Sequence, residues 1–120
     1  MRRPYDDMKD KIKNKNYYIY ILKCENDILY TGIATDYKRR LDEHMKVSGS
    51  KKGAKFTKSH KPEEIVALWT TKTRSDASKL ESRIKQLEKT NKNELIADNT
   101  HFKEFFSGLI DCRKFRRVLV

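Results

Sequence analysis

The chain has 120 residues, with 28 lysines and arginines against 17 aspartates and glutamates, which gives a formal net charge of +11 at pH 7. This length and charge favour a single domain with a polyanionic partner, most commonly nucleic acid, over a merely basic soluble protein. No apolar run approaches the roughly 20 residues of a membrane helix, and no apolar segment follows the basic N-terminus as a secretion signal would require, so we expect no membrane and a cytoplasmic protein.

A predicted hairpin follows a polar N-terminal arm. The arm alternates Lys, Asp and Asn with few apolar side chains, as a loose basic segment would. The segment from Tyr17 to Leu22 is aromatic or β-branched except at its last residue, which indicates a strand with a buried face. Turn-forming residues follow, and Ile28 to Tyr30 resumes the extended pattern. Gly32 comes directly afterwards, where a missing side chain allows a tight bend or the close approach of a ligand.

A helix is predicted next, capped by Thr35 or Asp36. On this helix Arg40 and His44 are four residues apart and therefore adjacent on one side, among apolar positions. Two polar side chains on a face that should be apolar require an explanation.

A lysine-rich loop is predicted over residues 46–61. It contains six lysines, two glycines and no acidic residue, so its charges repel one another unless a counterion lies across them. A phosphate backbone would supply that counterion. Phe56 either pins the loop to the core or stacks on a base.

The second half of the chain reads as a strand and helices. Ile65 to Thr71 is a continuous apolar run, typical of a strand buried on both faces. Ser75 is expected to cap a helix over residues 76–90, in which Glu81 lies beside the apolar stripe. One or two further helical turns and a short amphipathic helix rich in phenylalanine follow.

The chain shows no internal repeat. We predict a basic arm over residues 1–16, a folded domain over 17–97, and a C-terminal helix with a basic tail over 98–120. Within the tail, the cluster from Arg113 to Arg117 is expected either to bind nucleic acid or to contact a partner protein. Cys24 and Cys112 match no metal-binding or redox spacing and are expected to be reduced thiols, with a disulfide as the alternative.

The tyrosines of the hairpin belong to a longer series of motifs. The series comprises Tyr18 to Tyr20, Tyr30 to Gly32, Asp36 to Arg40 with His44, Lys52 to Thr57, Pro62 to Val66, and Glu81 to Leu87. In order and spacing it resembles the GIY-YIG endonuclease superfamily, in its small single-domain bacterial type, which is similar to the nuclease domain of excinuclease C subunits and homing endonucleases. The likeness covers about residues 17–97. Tyr18 departs from it, because the family's name expects glycine there.

The resemblance implies both a fold and an activity. The fold would be α+β, a three-stranded antiparallel sheet flanked by helices, here with an extra C-terminal helix. The activity would be that of a metal-dependent endonuclease that hydrolyses DNA phosphodiester bonds in repair or recombination, with little sequence specificity. The cofactor would be a single divalent ion, Mg²⁺ or Mn²⁺.

Each candidate residue would then have a role in hydrolysis. Tyr20 would be the general base, with its phenolate favoured by Arg40 and the metal and its proton accepted by His44. Tyr30 would orient the water or the scissile phosphate, which Arg40 would clamp. Glu81 would hold the metal together with waters and a phosphate oxygen. The residues expected to contact other phosphates are Lys38, Arg39, Lys51, Lys52, Lys55 and Lys58.

The same residues also have simpler interpretations. The tyrosines could be ordinary strand aromatics, Arg40 and His44 a solvated helix edge, and Glu81 the i, i+4 ion-pair partner of Lys85. The whole chain could be a nucleic-acid-binding module that does not cut, or the nuclease subunit of a larger repair assembly.

Overall fold

The computed structural model describes residues 16–36, Arg39 and residues 61–120. Its strands are β1 (Tyr17–Cys24), β2 (Leu29–Ala34), β3 (Pro62–Thr71) and β4 (Arg116–Arg117), and its helices are α1 (Arg74–Gln86), α2 (Lys89–Ala97) and α3 (His101–Phe106). The helix predicted after Asp36 lies outside the described residues apart from Arg39, as does the lysine-rich loop up to residue 60. In the described ranges no helix is both long and apolar enough to cross a membrane.

The four strands form one antiparallel sheet in the order β2-β1-β3-β4. The predicted α+β class with an antiparallel sheet is therefore confirmed, but the predicted number of three strands was one too few. The additional strand, β4, pairs Arg116 with Thr70 and Arg117 with Trp69. Two basic residues carry no alternating apolar pattern, so β4 exists only because the outer edge of β3 offers it hydrogen bonds.

The β1–β2 hairpin is longer than the sequence predicted. A 3₁₀ turn over Glu25–Asp27 joins the strands, and Asn26 within it has φ of 62°, a backbone conformation that asparagine tolerates. The predicted second strand ended at Tyr30, whereas β2 continues to Ala34 because β1 provides partners along its whole length. Gly32 therefore lies inside the strand and not at a bend after it.

Alternation along β1 separates two apolar clusters, one on each face of the sheet. The helix face is the one that carries Ile19 and Ile21, against which the helices pack. The residues that complete this core are Ala67, Trp69, Ala77, Leu80, Ile84, Leu95, Phe102 and Phe106. The tyrosine face is the opposite one, with Tyr20, Leu22, Cys24 and Leu68 buried and Tyr18 and Tyr30 packed beside them.

Helix α1 begins two residues before the predicted start. The prediction that Ser75 caps it was wrong, because Thr73 is the cap: its hydroxyl oxygen accepts a hydrogen bond from the backbone N–H of Asp76 at 3.1 Å and donates to the Asp76 carboxylate at 2.9 Å. Serine and threonine are both good caps, and the reciprocal bond with Asp76 decides between them. The helix ends at Gln86 because the next two residues are extended, and α2 follows as a separate helix.

Arg117 fastens the C-terminal segment to the core. Its guanidinium lies 5.0 Å from the centre of the Trp69 ring and donates to the carbonyl oxygens of Leu95 at 3.1 Å and Ile96 at 2.9 Å. The Trp69 indole N–H in turn donates to Asn99 at 2.9 Å. Arginine donors at the end of α2 satisfy carbonyls that have no partner within the helix. This member of the predicted basic cluster is therefore structural, and burial lowers its pKa.

Candidate active site

Tyr20 and Tyr30 meet on the tyrosine face. Tyr20 is 2 % exposed and Tyr30 is half-buried. Their ring centres are 6.4 Å apart and their planes are inclined by 48°, within the range of favourable aromatic pairs. The hairpin register creates this contact, because it places Tyr20 opposite Gly32 and Leu22 opposite Tyr30, so that the two rings are diagonal neighbours on one face.

The Tyr20 ring packs directly against the backbone of Gly32. A Cβ atom built on Gly32 would be 2.6 Å from Cζ of Tyr20, which is much closer than atoms in contact can approach. The space left by the missing side chain is therefore filled by the Tyr20 ring, and it does not serve a turn. Sequence reasoning missed this role, although counting outward from the turn would have placed the two residues opposite each other.

Asp36 caps the chain that follows β2. Its carboxylate accepts a hydrogen bond from the backbone N–H of Arg39 at 3.1 Å, the spacing of a helix cap and the third residue of its helix. Of the two predicted caps, Thr35 and Asp36, the structure selects the second. Arg39 is exposed, which suits a contact with phosphate. The other predicted site residues of this region, Arg40, His44, Lys38, Lys51, Lys52, Lys55 and Lys58, lie outside the described residues.

Glu81 lies on α1, which packs on the helix face. Its side chain is 26 % exposed, and its carboxylate is 3.6 Å from the ammonium of Lys85. The predicted i, i+4 ion pair is thus present, although such pairs contribute only a few tenths of a kcal/mol. In the part of the chain that the structure describes, no group of three or more His, Cys, Asp or Glu side chains is arranged to hold a metal. A metal at Glu81 would need waters and substrate oxygens to complete its shell, which one carboxylate permits.

The direction of Glu81 follows from the geometry of α1. Residues five apart on a helix are separated by about 140°, so Glu81 and Asp76 lie on opposite flanks of the apolar stripe. Asp76 is 3.7 Å from Lys114 in the C-terminal segment beside β4. The Glu81 flank is therefore turned away from the C-terminal segment, and α1 also contacts β2, which carries Tyr30. The structure brings the two tyrosines together on one face, whereas Glu81 is carried by α1, which packs on the other face.

Comparison with protein families defines the class of domain. The family model described as the GIY-YIG catalytic domain matches residues 16–94, which include the hairpin, β3, α1 and most of α2. Domains of this class are of the nuclease type, and nucleases of the class in general use divalent metal ions.

The chain belongs to the GIY-YIG family. It is 44 % identical over 86 residues to UPF0213 protein FN1575 of Fusobacterium nucleatum, an alignment that spans 72 % of this chain and 82 % of the relative. It is 43 % identical over 81 residues to UPF0213 protein H16_B0156 of Cupriavidus necator, over 68 % of this chain and 84 % of the relative. The solution NMR structure of UPF0213 protein BH0048 from Bacillus halodurans is 30 % identical, with a TM-score of 0.45, and covers 78 % of this chain and 96 % of that one.

Proposed function

We propose that this protein is a metal-dependent endonuclease that hydrolyses DNA phosphodiester bonds in repair or recombination, with little sequence specificity and a single Mg²⁺ or Mn²⁺ as cofactor. The observation that carries the proposal is the contact of Tyr30 with Tyr20, whose ring packs on Gly32, inside a GIY-YIG catalytic domain.

The two phenols would act on the attacking water. An unperturbed tyrosine is ionised in only about one molecule in a thousand at neutral pH, so a phenolate base needs positive charge nearby, and Arg40 would provide it. Tyr20 is the proposed base, and His44 would receive its proton. Tyr30 would orient the water or the phosphate. Because Tyr30 is the more exposed of the two rings, the variants Tyr20→Phe and Tyr30→Phe need to be compared directly: the residue whose loss shifts the pH profile of cleavage is the base.

Positive charges would hold the substrate in place. Arg40 is the proposed clamp on the scissile phosphate, since its planar fork of donors matches two phosphate oxygens. The proposed contacts with neighbouring phosphates are Lys38, Arg39, Lys51, Lys52, Lys55 and Lys58. If about six phosphates are contacted, affinity for DNA should fall by roughly three decades between 50 and 200 mM salt. A flat salt response would contradict DNA as the partner.

Glu81 is the proposed metal ligand. The ion would supply charge to the phosphoryl oxygens and lower the pKa of a bound water. Because one carboxylate is a small part of its coordination shell, the ion should bind weakly until substrate oxygens complete the shell.

A binding module that does not cut is the second candidate. The observation that favours it is that Glu81 is paired with Lys85 and is carried by α1, which packs on the face of the sheet opposite to the tyrosines. A nuclease subunit within a larger repair assembly would also use the proposed site.

Incubation with supercoiled plasmid distinguishes a nuclease from a binding module that does not cut. The purified protein should nick the plasmid with Mg²⁺ or Mn²⁺ and should not do so with a chelator, whereas Arg40→Ala should abolish nicking. Glu94→Gln is the control for Glu81→Gln, because Glu94 is an exposed carboxylate on α2 and its loss changes the net charge equally. A parent protein that retains the plasmid with either metal and never nicks it would be the binding module.

A further inference from the structure

A small cavity lies where β3 ends beside the C-terminal segment, and its volume is about 220 Å³. Four of its lining side chains are cationic, Lys72, Arg113, Lys114 and Arg116, and two carry hydroxyl groups, Thr70 and Thr71. Among the residues that the structure describes, no carboxylate belongs to the lining. Cavities that hold larger organic ligands measure about 300–1,000 Å³, so this one suits a small anion.

Two distant parts of the chain build the cavity. Lys72 follows β3 directly, whereas Arg116 comes from β4, which lies outside the segment matched by the family model. Pairing of Arg116 with Thr70 and the anchoring of Arg117 on Trp69 hold the second part in place. The cationic groups are therefore gathered by the fold before any ligand arrives, which lowers the entropy cost of binding.

Among the described residues, carboxylates pair with two of these four cationic side chains. Arg113 is paired with Asp111 at 3.0 Å, and Lys114 is 3.7 Å from Asp76. Lys72 donates a hydrogen bond to the uncharged Asn16 at 3.3 Å. Within the described ranges neither Lys72 nor Arg116 has a carboxylate partner. Like charges around a concave surface attract an anion to it.

The two hydroxyl groups of the lining are enclosed by the fold. Thr71 is 3 % exposed, and its side-chain oxygen is buried without a hydrogen-bond partner. The neighbouring hydroxyl of Thr70 already donates to the carbonyl oxygen of Tyr17 at 3.2 Å. The cationic side chains, and not these hydroxyls, are therefore the groups that an anion in the cavity can reach.

We infer that this cavity binds a phosphate group, with Lys72 and Arg116 as its main partners. The guanidinium of Arg116 suits two phosphate oxygens, and the ammonium of Lys72 adds a compact charge. Such a group comes from either of two sources, a nucleic-acid backbone or a free phosphate anion. Only the first source rests on the proposed function. In that case the C-terminal segment would provide a second contact with the DNA backbone, separate from the tyrosine pair.

Titration with inorganic phosphate tests the site without any cleavage. Phosphate is added at constant ionic strength while the backbone amide signals of Thr71, Lys72 and Arg116 are followed by NMR. We expect these signals to shift saturably. Lys72→Gln and Arg116→Gln should each weaken binding about threefold to tenfold, since each removes a charge-assisted hydrogen bond at a partly exposed site. The control Lys79→Gln removes an equal charge from the exposed side of α1 and should change affinity less than about twofold.

A DNA arm identifies the source of the phosphate. The salt dependence of duplex binding is compared between the parent and the Lys72→Gln/Arg116→Gln double variant. A slope smaller by about 1.8, together with lost phosphate binding, supports a backbone phosphate in the cavity. An unchanged slope with lost phosphate binding supports a free anion. Amide signals that do not saturate, or a control variant as weak as the cavity variants, would overturn the inference. None of these results depends on whether the protein cuts DNA.

Discussion

Replacing Gly32 by alanine tests whether the position of the Tyr20 ring requires glycine at residue 32. The new Cβ would be 2.6 Å from Cζ of Tyr20, nearly 1 Å inside ordinary carbon–carbon contact, so the ring has to move. Tyr20 is 2 % exposed, packed against Tyr30 and surrounded by the cluster of the tyrosine face, which leaves little room for that movement. Overpacking of this kind costs about 1–3 kcal/mol. Exchanging glycine for alanine within a strand returns at most about 1 kcal/mol.

We therefore expect Gly32→Ala to lower the free energy of unfolding by about 1–2 kcal/mol, measured from the midpoint and slope of urea unfolding. The matched control is a double-mutant cycle with Tyr20→Leu, whose shorter side chain does not cover Gly32. In the Tyr20→Leu background, Gly32→Ala should cost almost nothing. An equal loss of unfolding free energy in both backgrounds, or a Gly32→Ala variant as stable as the parent, would refute the inference that the Tyr20 ring requires glycine at residue 32.

The Glu81–Lys85 ion pair, the Arg117 anchor and the two cysteines each give a further prediction. Glu81→Gln should abolish plasmid nicking while Lys85→Ala leaves at least about half of it, because the ion pair itself contributes only a few tenths of a kcal/mol; equal small effects would reduce Glu81 to a surface ion-pair partner. Arg117→Lys keeps the charge but cannot reach two α2 carbonyls at once, so the free energy of unfolding in urea should fall by about 1–2 kcal/mol, and an unchanged midpoint would contradict the anchor. A thiol reagent should label Cys112 in the folded protein and Cys24 only after denaturation, because Cys24 is fully buried and burial raises its pKa, with Glu63 and Glu25 adding to the shift; two fast thiols would argue against that burial.

The elements that the sequence predicted well are those with a long periodic or apolar pattern. β1, β3 and α1 each carry such a pattern, and all three were placed with errors only at their ends. Their ends depended on contacts that local sequence does not contain. Thr73 won over Ser75 as the cap of α1 because of its bond with Asp76, and β2 continued past Tyr30 because β1 lies alongside it.

The candidate site was predictable only in part for the same reason. The motif spacing brought Tyr20 and Tyr30 to one hairpin, and the register places their rings together. The distribution of charge over the C-terminal cluster was not predictable, because it is decided by tertiary partners. Arg117 packs over Trp69 and donates hydrogen bonds to the end of α2, while Arg116, one residue earlier, lines the cavity at the end of β3. Neighbouring arginines with identical local sequence signals thus have opposite roles.

The register of the central strand also makes one of its two pairings less costly to form than the other. Tyr20 pairs with Gly32, 12 residues away, and with Leu68, 48 residues away. The entropy lost on closing a loop grows with the logarithm of its length, at about 0.6 kcal/mol for each doubling, so the fourfold longer closure costs about 1.2 kcal/mol more. The hairpin should therefore form before β3 docks, and Tyr20 should pack on Gly32 before it contacts Leu68.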